Sequence, residues 1–151
     1  MSVLEIEEFS SFDNIVKFLT SVNMPKFISK YFENEPKYTA MIGEIGGTVL
    51  TFSDAPLEIG VKAEAELSVF VDFRIEAPNE LVILKFINKD SVKQDILDRL
   101  GPPDFEIDEE KRIKLNHTAQ VIKYFIDSKF SISFDHNEKV EMVRIFYDNY
   151  R

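Results

Sequence analysis

The stretch SVKQDILDRLGPPDF, residues 91–105, reads as a helix run into a hard stop. Ser91 and Gln94 stand in capping-box spacing, where a hydroxyl and an amide satisfy orphan backbone donors reciprocally. Val92, Ile96, Leu97 and Leu100 recur at the spacing of a buried helical stripe. Gly101 supplies a left-handed cap, and Pro102 cannot continue the hydrogen-bond ladder.

A similar phrase stands near the N-terminus. In FDNIVKFLTSVNMPKF, residues 12–27, positions Phe12, Ile15, Val16, Leu19 and Val22 keep helical spacing behind a capping Ser11 or Asp13. Asn23 and Pro25 end that helix, and a second short one, about 25–33, follows. Pro25 and Pro103 are 78 residues apart, Thr39-Ala40 and Thr118-Ala119 are 79 apart, and Asp54 and Asp135 are 81 apart. A near-constant offset of about half the chain points to a tandem repeat.

Strands lie between the helices. YTAMIGEIGGTVLTF, residues 38–52, breaks at Gly46-Gly47 as a hairpin does. In ELSVFVDFRI, residues 66–75, Leu67, Val69, Val71, Phe73 and Ile75 alternate with mostly polar neighbours, so one face is buried and the other partly wet. APNE turns the chain, and residues 81–87, apolar at nearly every position, read as a central strand. After a charged connection, strands at 120–126, 130–134 and 139–147 form an antiparallel meander, while residues 1–10 read as irregular. The expected fold is α+β in a single domain over residues 1–151. Two helix-plus-antiparallel-meander repeats, 11–87 and 88–151, share one sheet with the helices packed on one face.

Composition narrows the function classes. A chain of 151 residues suffices for one ordinary domain or two small repeats around one core. With 14 Phe and no Trp, that core rests on phenylalanine. The lack of cysteine excludes disulfides, thiolate-bound zinc and thiol catalysis, and fits a reducing compartment. MSVLEIEEFSSF has three Glu where a signal peptide needs a basic start and an apolar run. No apolar run approaches the roughly 18–20 residues of a membrane span, so cytoplasmic residence without a membrane partner is expected. Lys and Arg number 18 against 27 Asp and Glu, a net charge of −9 that repels nucleic acid and favours a basic protein partner.

The catalytic inventory is thin. His117 and His136 have no third or fourth ligand at metal-binding spacing. Asp135 and His136, adjacent on an extended chain, point to opposite faces and make no dyad. GEIGG lacks the Lys-Ser/Thr ending of a phosphate-binding loop. No catalytic residue, metal or cofactor emerges, and a non-enzymatic protein is expected. Two features favour binding. Asp104, Glu106, Asp108, Glu109 and Glu110 put five acids within seven residues of a connection expected to be exposed, where they offer carboxylates to basic side chains. On the sheet's outer face, Phe70, Lys123, Tyr124, Ser131 and Ser133 are expected to alternate outward, with Phe70 and Tyr124 as aromatic anchors.

Leu100, Gly101 and Pro102, with Phe134, Asp135, Lys139 and Val140, match an LGxP then FDxxxKV pattern over about 50 C-terminal residues. This resembles the helix–LGxP–three-strand module of small outer-membrane assembly lipoproteins and of β-lactamase-inhibitor-like proteins, some of which carry it in tandem. It is also similar to bacterial immunity proteins of the pyocin-immunity type, small acidic cytoplasmic inhibitors of a secreted toxin. The lipidated cysteine and signal of the lipoproteins are absent, so their assembly role does not carry over. The aromatic that the module carries between LGxP and the next strand is missing unless Tyr124 substitutes. The resemblance implies a non-enzymatic inhibitor of a cognate toxin. The other reading is a small-ligand-binding or scaffold domain with a curved, helix-lined sheet.

Overall fold

A computed structural model describes residues 2–40, 47–53, 55, 57–61, 68–74, 79–115 and 119–147. At residues 2–3, 68–70, 72–74, 79–80 and 147 it describes the backbone alone. In chain order the elements are β1 (Ser2–Glu5), α1 (Phe12–Ser21), α2 (Met24–Tyr31), β2 (Lys37–Ala40), β3 (Thr48–Thr51), β4 (Leu57–Val61) and β5 (Ser68–Arg74). There follow β6 (Asn79–Val82), α3 (Lys93–Leu100), β7 (Phe105–Ile107), α4 (Glu109–Lys114), β8 (Gln120–Phe125), β9 (Ser128–Phe134) and β10 (Val140–Tyr147).

The main sheet has eight antiparallel strands in the order β2-β3-β4-β5-β10-β9-β8-β7. Each half of the chain supplies a four-stranded meander, and the two meet where β5 pairs with β10 from Arg74–Met142 to Phe70–Phe146. Side chains alternate across the pleat. In β9, Ser128, Phe130, Ile132 and Phe134 are buried while Lys129, Ser131 and Ser133 are half-exposed. One inner row crosses seven strands: Tyr38, Leu50, Ile59, Val71, Ile145, Phe130 and Tyr124. α1, α2 and α3 bury Ile15, Phe18, Leu19, Phe27, Ile28 and Ile96 in the same cluster as this row, which makes the fold α+β. Phenylalanine dominates the joint. Phe9–Phe18 and Phe18–Phe27 sit edge-to-face at 4.9 Å, and Phe12 meets Phe130 at 5.2 Å.

The helix ends differ in detail from the sequence reading. Ser11 caps α1 by accepting from the Asn14 amide at 3.1 Å. Asn23, at φ −93°, is not a left-handed terminator of α1; it is the N-cap of α2 and accepts from the Lys26 amide at 3.1 Å. The start of α3 lies one residue later than the proposed capping box. The Ser91 carbonyl accepts from Val140 N at 3.0 Å, which holds the chain extended against β10. The Ser91 hydroxyl is buried, accepting from Asn88 N and donating to the Phe86 carbonyl, and Asp95 accepts from the Val92 amide at 3.3 Å. Gly101 does take a positive φ, 80° with ψ −171°, and its N–H bonds the Leu97 carbonyl at 2.9 Å.

Two segments depart further. Residues 2–9 are not irregular: β1 pairs in parallel with β6, and Ile6 and Phe9 are buried. Tyr31 holds this segment, its hydroxyl accepting from Glu7 N at 3.0 Å and donating to Glu8 Oε1 at 2.6 Å. Residues 81–87 are not a central strand. After β6, Leu84 and Lys85 take φ of 54° and 68°, and Ile83 and Ile87 exchange two backbone bonds across a tight turn. Ile83, Leu84 and Ile87 of that turn are buried while Lys85 is exposed, which satisfies the apolar run without a central position in the sheet. Gly46, Asp54, Thr118 and the first two residues of the APNE turn lie outside the described residues, and its last two begin β6.

The φ,ψ of Gly101 belongs to a region open essentially to glycine, at a cost of about 1–3 kcal/mol for other residues. A Cβ there would meet no atom within 4 Å, so the strain is that of the backbone alone. Gly101→Ala is therefore expected to lose most of what Gly101→Val loses in urea titration. Asn23→Ala is expected to cost about 1 kcal/mol and Asn23→Gly only a few tenths. A Gly101→Ala protein that melts like the parent would contradict the cap.

Candidate functional site

The acidic segment folds back on the molecule. Its five acids are followed by Lys111, Arg112 and Lys114, so residues 108–114 carry their own counter-charges at helical spacing. Asp108 caps α4, accepting from the Lys111 amide at 2.9 Å. Glu109 pairs with Arg112 at 2.6 Å and Glu110 with Lys114 at 3.3 Å. The Arg112 guanidinium holds the Glu109 carboxyl below the usual carboxylate range. Asp104 accepts from the Phe125 amide at 2.8 Å. Glu106 meets the nearly buried Lys93 Nζ at 2.6 Å, and Lys93 also donates to Gln120 Oε1 at 3.0 Å. Each of the five acids thus has a partner within the chain; the connection is the ordered pair β7 and α4, and Asp104, Glu109 and Glu110 remain exposed on it as expected.

The outer sheet face is only partly as expected. Lys123, Ser131 and Ser133 lie on it, half-exposed. Phe70 stands opposite Gly60 and Phe146 in the ladder, with its side chain outside the described residues. Tyr124 points the other way and is not a surface anchor. It is 5% exposed, its hydroxyl donates to the Gly101 carbonyl at 2.8 Å, and burial pushes its phenol up. Adjacent residues of a strand face opposite sides, so Lys123 outward places Tyr124 inward. The rings that are outward, Phe105 and Phe146, carry Lys123 at 5.2 Å and Arg144 at 5.4 Å over their faces.

The remaining sequence candidates have local roles. The Asp135 carboxylate accepts from Asn137 N at 2.8 Å and Lys139 N at 3.0 Å, so it builds the turn beside an exposed His136. His117 lies outside the described residues. Among the described residues no group of three or more His, Cys, Asp or Glu is gathered to hold a metal, and no helix is long and apolar enough to cross a membrane.

The surface left open is one the sequence did not mark. β2 ends the sheet, pairs with β3, and has all four residues exposed. Tyr38 belongs to the inner row yet is 59% exposed, whereas its partner Leu50 is 3% exposed. The helical layer therefore stops short of the edge. An open cleft of ≈ 700 Å³ fills the gap, lined by Met24, Pro25, Ile28, Tyr38, Leu50 and Val61 with a few neutral polar groups. No charged side chain lines it among the described residues. Exposed Glu33 and Glu35 stand beside the strand, and the Tyr38 hydroxyl donates to Glu35 Oε2 at 3.2 Å.

No family model matches the chain, and no curated protein matches it. Among solved structures, a DUF4309 family protein (YjgB) from Bacillus subtilis subsp. subtilis str. 168 is similar at a TM-score of 0.46 and 8% identity. The likeness covers 75% of this chain and 71% of that one.

Glu106→Ala leaves the nearly buried Lys93 with only Gln120 and, at 4.0 Å, the more exposed Glu138, and is expected to cost about 1–3 kcal/mol in urea titration. Lys93→Met removes the charge while keeping the apolar stem, and is expected to cost less. The reverse order would contradict the clamp. At Asp135, backbone donors from Lys139 and Asn137 hold the folded carboxyl below its ordinary value. That stabilisation is present above the ordinary aspartate pKa of about 3.9 and is lost as pH falls through the lower folded value. Asp135→Asn should therefore flatten the acid limb of the stability curve. An unchanged limb would contradict this role.

Proposed function

We propose that the protein is a non-enzymatic, protein-binding inhibitor of the immunity type, which neutralises a bacterial toxin in the cytoplasm by masking it, and that its partner is basic. One observation carries this reading. Residues 1–87 hold 14 acids against 7 bases, and residues 88–151 hold 13 against 11. The negative charge is thus concentrated in the half whose sheet edge and cleft are open. A field of that sign speeds the approach of a basic protein, and an uncovered edge gives it a place to dock. Within the acid-rich segment 104–110, Glu106, Glu109 and Glu110 are offset by Lys93, Arg112 and Lys114, so that segment contributes less to the field.

The cleft supports a second reading. Its volume of ≈ 700 Å³ and its mostly apolar lining suit a small neutral ligand as well as a protein side chain. Salt separates the two, since a neutral ligand would bind alike at low and high ionic strength.

The test is to isolate the partner of the full chain from its native cells and follow association of the purified pair. The on-rate is expected to fall as salt shortens the screening length below about 10 Å. Changing Glu33 and Glu35 together to Lys should slow it by about tenfold at low salt with the thermal midpoint unchanged. A partner whose on-rate ignores both salt and these charges would contradict the reading.

A further inference from the structure

The two ends of the sheet are treated differently. At β7, the Glu106 carbonyl accepts from Lys111 Nζ at 3.2 Å, the Glu106 side chain is clamped to Lys93, and α4 follows at once. Natural sheets cover or charge their edges in this way because an open row of backbone donors and acceptors templates further pairing. β2 has no such cover among the described residues. Its one charged residue, Lys37, is in register with Thr51 and Glu58 on the outer face, away from the cleft. No proline or bulge interrupts Lys37–Ala40.

The exposed edge and the cleft adjoin each other. Tyr38 belongs to both: its backbone is part of the terminal strand, and its ring lines the cleft. An extended chain laid beside β2 would bond its backbone to the open edge. Every second side chain would then project over the inner face, because strand side chains alternate with period two. Those side chains would enter the cleft beside Met24, Ile28 and Leu50, where apolar groups are suited and charges are not. The intervening residues would lie on the outer face beside Lys37 and Thr39, and the excess of acids in residues 1–87 favours a basic segment over a second copy of this acidic chain.

We propose that β2 and its cleft are an acceptor for an extended segment of the basic partner protein, added as a further strand, with apolar side chains facing the cleft at alternate positions and polar ones between them. This rests on the protein-binding reading and names the element that is bound. Backbone pairing supplies affinity and the cleft supplies selectivity, as in other cases of strand addition.

The test uses the full chain, isotope-labelled, and the peptide acetyl-Lys-Val-Lys-Val-Lys-Val-Lys-amide, followed by amide NMR. Shifts are expected at residues 37–40 and in the cleft lining, with slowed hydrogen exchange along β2. Two further peptides carry N-methyl groups on every Lys or on every Val. Successive residues of a strand turn their amides to opposite edges, so one methylated peptide is expected to bind at least tenfold more weakly and the other nearly as well as the parent. Tyr38→Lys, at an exposed position, is expected to weaken the parent peptide by a similar factor while leaving the thermal midpoint in place.

Equal binding of both methylated peptides would overturn strand addition and leave occupancy by side chains alone. An absence of shifts at β2 would also overturn it. So would self-association of the free chain through β2 in analytical ultracentrifugation, since a second copy would then hold the edge. None of these results would by itself remove the protein-binding reading, because native co-purification does not depend on β2.

Discussion

The structure depends on the pairing of β5 with β10. Within each half the strands pair in sequence order, and this one seam makes two four-stranded meanders a single sheet. Val71 and Ile145 face each other across it at the middle of the inner row, both with no exposure. A cross-strand pair contributes about 0.2–1 kcal/mol, whereas burying a Val or Ile side chain contributes about 1.5–3 kcal/mol. Burial therefore outweighs pairing at the seam, and the helices that cover the inner row are as necessary to it as the ladder. Register is fixed for the same reason: a slip of one residue would turn the whole row to solvent.

Covering that row uses most of the features the sequence offered as binding elements. Tyr124 closes the row at β8 and holds the α3 terminus through Gly101. Glu106 and Glu109 tie the β7–α4 segment to Lys93, Gln120 and Arg112. The row's other end lacks an equivalent cover, and Tyr38 is left exposed there. α2 lines the cleft with Met24, Pro25 and Ile28 but leaves the Tyr38 ring exposed. The proposed acceptor site follows from this shortfall.

The helix stop at Gly101, the outward alternation of Ser131 and Ser133 and the C-terminal meander of β8, β9 and β10 were legible because each rests on local chemistry. Capping, φ at glycine and the period of two act within a few residues. Long-range partners were not legible. Nothing within residues 2–9 announces a partner at residues 79–82, and without that partner the N-terminus reads as irregular and residues 81–87 as a sheet strand. The acids of residues 104–110 are largely exposed as read, but their pairing was missed because they were counted without the three bases that follow them. Tyr124 was legible from parity with Lys123, and the expectation that both face outward broke that rule. The open site at β2 had no signal, because exposure at an edge depends on where the helical layer ends.

Hydrogen exchange followed by mass spectrometry on the free chain tests the seam most directly. If one inner row holds both halves, amides of β4, β5, β9 and β10 should exchange through one common slow opening, with β2 exchanging much earlier. Halves that open at separate rates, with β5 or β10 losing protection while the other keeps it, would contradict a sheet that depends on that pairing.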